Sequence, residues 1–406
     1  MARLLLAMLV SGAWAFASES QAGALKTTHP VVFAHGMGGF NDVLGFDYWG
    51  DDYGTFVGDT CNGFFELNCN LFLDKRQRTF IAQVQAFESS EVRGLDLADD
   101  LEGYLATTGV GAVNIIGHSQ GAIDARKAAR VLYERRGKAA IRVLVSVSGP
   151  HRGSPVARYI LEQGPGATDL LNTLATYYGN TVYAPGSDGY AGAMQLVYDD
   201  YDPEDGKVTG MKAFNTAYPV DARYASSYLS VITAQDGLSV NPALFLLNQF
   251  LFDIDGDGYC TNDCGTDGIV GMGDGVKNEA DDDGVVGISS QQMGYRLHYQ
   301  DRLFSSDRIS LDYEHGSVDS LNAPTFQQAT SAANVVPQDH LDVIGVGPDT
   351  FDEMGFYGAL IDAVAQLDRP VRRPPRWWEP IQPVQERPII PPPPPTGGPV
   401  SRWLTP

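Results

Sequence analysis

The sequence predicts an α/β fold, a mostly parallel sheet covered by helices on both faces. Three observations carry that expectation. Short, continuous apolar runs bounded by turn residues read as strands buried on both faces. Stretches with helical spacing alternate with them, and alternation of this kind implies parallel pairing. The chain has 406 residues, 43% of them hydrophobic and 10% aromatic, enough for one large domain with insertions or for two domains.

The elements follow in order. Residues 31–34 (Val-Val-Phe-Ala) end at His35-Gly36 and read as the first buried strand. Residues 81–87 read as a second strand, and 96–105 as a helix closed by Thr-Thr-Gly. Residues 113–116 (Val-Asn-Ile-Ile) are the next strand, 122–136 a strong helix ending at Gly137, and 142–147 another β-branched strand. Residues 152–250 break the rhythm and read as a cap region. Within it lies an amphipathic piece at 167–180 with Leu170, Leu171, Leu174, Tyr177 and Tyr178 on one side.

Both ends differ in composition from the middle. Arg3, the apolar stretch Leu4 to Val10 and Ala15-Phe16-Ala17 have the three parts of a secretory signal, assigned to 1–17, so the mature chain is expected to be secreted. No later run reaches the about 18 apolar residues of a transmembrane segment. The main domain is then 18–368, and the Pro-rich segment 369–406 reads as an extended tail. Cys61 with Cys69 and Cys260 with Cys264 suit two local disulfides in an exported chain. The net charge of −22 argues against nucleic acid or an anionic membrane as partner, since both would be repelled.

The acid is concentrated at 253–287, an Asp/Gly-rich loop. Asp253, Asp255, Asp257 and Gly258 form the D-x-D-x-D-G start of a calcium loop, although Cys264 stands where an EF-hand has Glu. A structural calcium ion is the cofactor this segment implies.

Residues 117–121 read Gly-His-Ser-Gln-Gly, between a buried strand and a helix. That setting makes Ser119 a candidate nucleophile on a sharp strand-to-helix turn, where small neighbours relieve crowding. The helix N-terminus behind it favours developing negative charge. A serine hydroxyl needs a base, and the base an orienting carboxylate, in the chain order Ser, acid, His. Three histidines, His298, His315 and His340, follow the acidic region, and Asp-Gly-x-Val-Gly occurs at both Asp267 and Asp283. Composition does not choose among them.

Six segments keep the order of a known family. "PVVFAHGMGGFNDVLGFDYW" (30–49), "ESSEVRGLDLADDLE" (88–102), "VNIIGHSQGAIDAR" (113–126), "SVSGPHRGSP" (146–155), "DGVVGISSQQMG" (283–294) and "DHLD" (339–342) resemble the bacterial true lipases, the family I triacylglycerol lipases. These have the α/β-hydrolase fold, and the match covers most of residues 28–345. The resemblance implies Ser119 as nucleophile, Asp283 as acid and His340 as general base, Asp283 because only its downstream Ser-Ser-x-x-x-Gly fits. It implies an oxyanion hole from the backbone amides of Met37 and Gln120. It implies a calcium ion held by Asp342, two residues after the histidine, with Asn241-Pro242 at the upstream position. It also puts the piece at 167–180 in the lid position, and raises a membrane-anchored, lipase-specific foldase as a partner. The substrate it implies is a lipid or other ester at an interface. Asp283 and His340 stand further apart than the family pattern, so about 296–335 is expected to loop out as an insertion. Two readings compete: an esterase or polyester depolymerase with the same triad, and a non-catalytic calcium-binding surface protein.

Overall fold

The structure, a computed structural model, describes residues 27–38, 77–162, 188–204, 206, 208–235, 240–241, 244, 282–302, 307–322, 334–345 and 351–369. The signal at 1–17, both cysteine pairs, the piece at 167–180, Asp253, Asp255, Asp257 and the tail from 370 lie outside the described residues.

Strands form where the apolar runs fall. β1 (Val31–Ala34), β2 (Thr79–Ala82), β3 (Val113–His118), β4 (Ile141–Val147), β5 (Ala225–Thr233) and β6 (Gly294–Gln300) run parallel in the spatial order β2-β1-β3-β4-β5-β6. β7 (Arg308–Leu311) and β8 (Ser317–Val318) pair antiparallel with β6, and β9 (Val335–Val336) pairs parallel with β5.

Successive side chains on a strand point to opposite faces, so a strand covered on both sides is apolar at every position. Val31 and Phe33 join Val143, Val145, Val147 and Val231 on one face, whereas Val32 and Ala34 join Val113, Ile115 and Leu144 on the other. α1 (Ser90–Thr108) and α2 (Gln120–Arg136) cover the second face with Leu97, Leu101, Leu105, Ala125, Ala129 and Leu132. α2 ends at Gly137, where its sequence predicts. α3 (Pro155–Glu162), α4 (Gly189–Gln195) and α5 (Met211–Ala217) belong to the cap region. They gather Leu161, Met194, Leu196, Met211 and Phe214 around Ile123 of α2. α6 (Ile288–Gln291) precedes β6. α7 (Glu353–Leu367) covers the first face with Phe356, Tyr357, Leu360, Ile361 and Val364.

The start of β1 is clasped to the end of α7. The His29 backbone amide donates to Asp368 Oδ2 at 2.7 Å and the His29 Nδ1–H to Asp368 Oδ1 at 2.6 Å.

Two expectations are corrected. The second strand is 79–82 rather than 81–87, because 84–87 leave the sheet to carry the Gln85 and Ala86 carbonyls to the Arg93 guanidinium. Residues 296–335 do not simply loop out: their described part builds the sheet edge through β6, β7, β8 and β9. Alternating Tyr295, Leu297 and Tyr299, opposite Ile309 and Leu311, supplies the apolar face that packs under α7.

Candidate active site

Ser119 sits between β3 and α2 at φ 53°, ψ −130°. A positive φ costs a serine on the order of 1–3 kcal/mol, so surrounding structure has to hold it. The Ser119 amide donates to the Val147 carbonyl of β4 at 2.9 Å, and its carbonyl accepts the Ala122 amide at 3.1 Å. Both flanking glycines are sterically required. A Cβ on Gly117 would lie 2.7 Å from the Ala122 nitrogen; one on Gly121 would collide with the Ala34 carbonyl and lie 2.6 Å from that of His35.

The second and third groups arrive from two loops knitted together by the backbone. The His340 amide donates to the Asp283 carbonyl at 2.9 Å. His340 Nδ1 then lies 2.8 Å from Asp283 Oδ2, and His340 Nε2 lies 2.9 Å from Ser119 Oγ. A carboxylate has no proton to give, so Nδ1 carries the hydrogen and Nε2 is left to accept the serine proton. Asp283 Oδ1 accepts the Val286 and Val285 amides at 2.8 and 3.1 Å. Of the other histidines, His298 lies in β6 and His315 pairs with Asp312 at 2.6 Å, leaving His340 at Ser119. Asp267 lies outside the described residues.

Met37 follows β1 and Gln120 follows Ser119, beyond the ends of two paired strands. The loop after β1 is fixed on one side by Gly38, whose amide donates to the Ala86 carbonyl at 2.7 Å. On the other side Arg93 spreads its guanidinium beneath the loop, Nη2 donating to the His35 and Gly36 carbonyls at 2.7 and 3.1 Å. Gln120 opens α2, and amides in the first helical turn have no acceptor within the helix. Its side chain is buried and donates to the Glu88 carbonyl at 2.8 Å. This arrangement offers a nucleophile, a base, an orienting acid and a corner for two amide donors, the set acyl transfer requires.

No protein-family model matches the chain. It is 35% identical over 155 residues to a triacylglycerol lipase of Vibrio cholerae, covering 37% of this chain and 43% of that one. It is 29% identical over 164 residues to a triacylglycerol lipase of Pseudarthrobacter phenanthrenivorans, covering 39% and 42%. The alignment thus spans less than half the length of either curated relative. Among solved structures, the Staphylococcus hyicus lipase superposes with a TM-score of 0.50 at 16% identity, over 85% of this chain and 97% of that one. The fold is that of the α/β-hydrolases.

Several residues of this site were not singled out by the sequence. Arg93 is wholly buried, with Nε on Asp124 at 2.8 Å and Nη1 on the Gln85 and Ala86 carbonyls. Burial nevertheless pushes the Asp124 carboxyl up to about 6, against the pull of Arg93. His35, under the oxyanion loop, is lowered to about 3 by burial and by the Arg93 charge, and stays neutral. His118 lies with its ring 4.7 Å from that of His340 and hydrogen-bonds the His340 backbone; burial keeps it uncharged too. These residues lie inside the family-like segments, but no local spacing assigned them a role, because most of their partners come from distant segments.

Asp342 is buried in a 3₁₀ turn (Asp342–Ile344), and Asn241 Nδ2 donates to its Oδ1 at 3.3 Å. Asp339 is engaged by the Leu341, Asp342 and Asn241 amides. Asp342 thus offers one carboxylate of the six to eight oxygens calcium takes, and the Asn241 amide nitrogen, a donor, is what faces it. Among the described residues no group of three or more His, Cys, Asp or Glu converges on a metal site. No described helix is long and apolar enough to cross a membrane.

Proposed function

We propose that this chain is a secreted carboxylic ester hydrolase of triacylglycerol lipase type. The observation that carries the reading is the unbroken line Ser119 Oγ, His340 Nε2, His340 Nδ1, Asp283 Oδ2, with steps of 2.9 and 2.8 Å between residues. Ser119 Oγ attacks the ester carbonyl as His340 Nε2 takes its proton, and Asp283 steadies the imidazolium that forms. The backbone amides of Met37 and Gln120 hold the tetrahedral oxyanion. His340 then protonates the departing alkoxide, the alcohol leaves and an acyl-Ser119 ester remains. A water molecule gives a proton to His340 and attacks that ester; the acid departs and Ser119 regains its hydrogen.

The substrate is an acylglycerol or related lipid ester, and the segment at 167–180 is the lid over the acyl site. A structural calcium ion, with Asp342 and Asn241 among its ligands, braces the histidine loop, and Asp253, Asp255 and Asp257 hold a second. Folding in the exporting cell draws on a lipase-specific foldase.

Hydrolysis of p-nitrophenyl esters of rising chain length tests the enzyme. Wild type is expected to turn over with a long-chain optimum, and Ser119→Ala to lose on the order of 10⁴–10⁶ in kcat. A short-chain optimum would favour the esterase or polyester depolymerase. Equal inactivity of both proteins on every ester would leave the non-catalytic calcium-binding reading. For the metal, chelation is expected to lower the melting temperature by several degrees, since a ligand bound only to the native state stabilises it. An unchanged transition in chelator would rule the calcium ions out.

A further inference from the structure

Behind the catalytic acid lies a second line of hydroxyls. Asp283 Oδ2, the oxygen that receives His340, also meets Thr233 Oγ1 at 3.1 Å and Gln291 Nε2 at 3.3 Å. Thr233 ends β5, Gln291 ends α6, and both side chains are fully buried with Asp283. The Gln291 amide is oriented by Thr233 itself. Its Oε1 accepts the Thr233 amide at 2.8 Å, and its Nε2 donates to the Thr233 carbonyl at 2.9 Å and to that of Val286 at 2.9 Å. This pairing with both backbone groups of one residue fixes which end of the side chain faces Asp283.

Thr233 Oγ1 has one hydrogen and three oxygen neighbours: Asp283 Oδ2, Gln291 Oε1 at 3.2 Å and Ser148 Oγ at 2.6 Å. The ionised carboxylate is the strongest acceptor of the three. The Thr233 hydrogen therefore goes to Asp283, and Ser148 donates to Thr233. Ser148 is held for this at φ 53°, with its amide on the Val231 carbonyl at 3.2 Å. Like Ser119 it is a serine at positive φ just after a sheet strand, here β4, yet its hydroxyl meets Thr233 rather than His340.

We infer that Thr233 is a positioning residue for the acid, and that Ser148 and Gln291 orient it so that Asp283 Oδ2 stays aimed at His340. Asp283 Oδ1 is fixed by two backbone amides, so side-chain replacement reaches the carboxylate chiefly through Oδ2. The chain Ser148, Thr233, Asp283, His340, Ser119 thus runs past the ends of β4 and β5 to the elbow after β3. This inference rests on the ester-hydrolase reading of the same site.

The test compares kcat, KM and melting temperature of the full chain carrying Thr233→Val, Thr233→Ser or Ser148→Gly, beside wild type and Ser119→Ala. Thr233→Val keeps shape and loses the hydroxyl; kcat is expected to fall about ten-fold, the weight of one hydrogen bond, with KM unchanged. Thr233→Ser restores the donor and should recover most of the loss. Ser148→Gly separates structure from catalysis, because glycine adopts positive φ readily. Its melting temperature should hold or rise while kcat falls about three-fold. Thr233→Val within two-fold of wild type, or Thr233→Ser as impaired as Thr233→Val, would overturn the inference. Should Thr233→Val fail to fold, wild-type kcat in Ser148→Gly would overturn it. A wild type no more active than Ser119→Ala would instead remove the ester-hydrolase reading, and this inference with it.

Discussion

Arg93 holds the corner beside Ser119 with every arm of its guanidinium: two carbonyls of the loop after β1, two of the segment after β2, and Asp124 of α2. A lysine ammonium is a point donor on a flexible stem and cannot bridge five acceptors across three segments. Arg93→Lys is therefore expected to lower kcat by about 10²-fold, the weight of a displaced oxyanion donor, with little change in KM. A folded Arg93→Lys variant with wild-type kcat would show that the loop stands without it. The same geometry explains the limits of the sequence at this scale. Gly-His-Ser-Gln-Gly marked Ser119 by its own neighbours, whereas the residues alone left His298, His315 and His340 open, and only resemblance separated them. Arg93 falls within the family-like segment 88–102, but nothing local to it reveals that most of its partners are carbonyls. The Gln120 side chain is a similar case, since its bond to Glu88 depends on a segment 32 residues away.

Elements were legible where burial dictates sequence. The runs at 31–34, 113–116 and 142–147 became β1, β3 and β4 with ends shifted by a residue or two, because a strand covered on both faces is apolar throughout. Edge strands follow a weaker rule. β7 alternates Arg, Ile, Ser and Leu, and such four-residue patterns also occur in loops, so the sheet edge was missed. The elbow joins its elements by contact rather than by pattern. In Gly121→Ala the new Cβ would strike the Ala34 and His35 carbonyls, both backbone atoms that cannot swing aside. Overpacking of this kind typically costs about 1–3 kcal/mol, and α2 would have to move off β1. Gly103, in the middle of α1, has open space where an added methyl would stand, with nothing within 4 Å. Gly103→Ala should therefore stabilise by roughly 0.5–1 kcal/mol through helix propensity. Urea unfolding of the two variants is expected to shift in opposite directions. A Gly121→Ala variant as stable as wild type would mean that β1 and α2 are not in rigid contact.

For the whole molecule, three buried histidines set the response to acid. His35 is lowered to about 3, and His118 and His151 well below the ordinary value, all chiefly by burial. Each is neutral when folded and takes a proton when unfolded, at about 6.5. The unfolded state then binds more protons, so stability rises with pH in this window and is lost as pH falls below about 6.5. Asp124 has the opposite sign. Its folded value of about 6 lies above the usual carboxylate range, so its share is present in acid and lost as pH rises through 6. Burial raises the Glu88, Asp96 and Asp100 carboxyls too, with the same sign as Asp124 but by less. The three rings therefore prevail, and the melting temperature is expected to fall between pH 7 and pH 5. Calorimetry at pH 7, 6 and 5 measures this, and His151→Gln should flatten the slope. A level melting temperature across that range would contradict neutral burial of the three rings.

The clasp between His29 and Asp368 has a consequence of its own. It brings the first residues of the central sheet and the last residues of the covering helix to within one hydrogen bond, so the polypeptide path closes into a ring. On a ring, the point at which synthesis starts is arbitrary. A short bridge across 29 and 368, with the chain opened at the exposed turn around Tyr313, would yield a permutant in which acid, base and nucleophile are translated in a different order yet meet in the same place. The reading order of Ser119, Asp283 and His340 is a property of the gene, while their geometry belongs to the sheet.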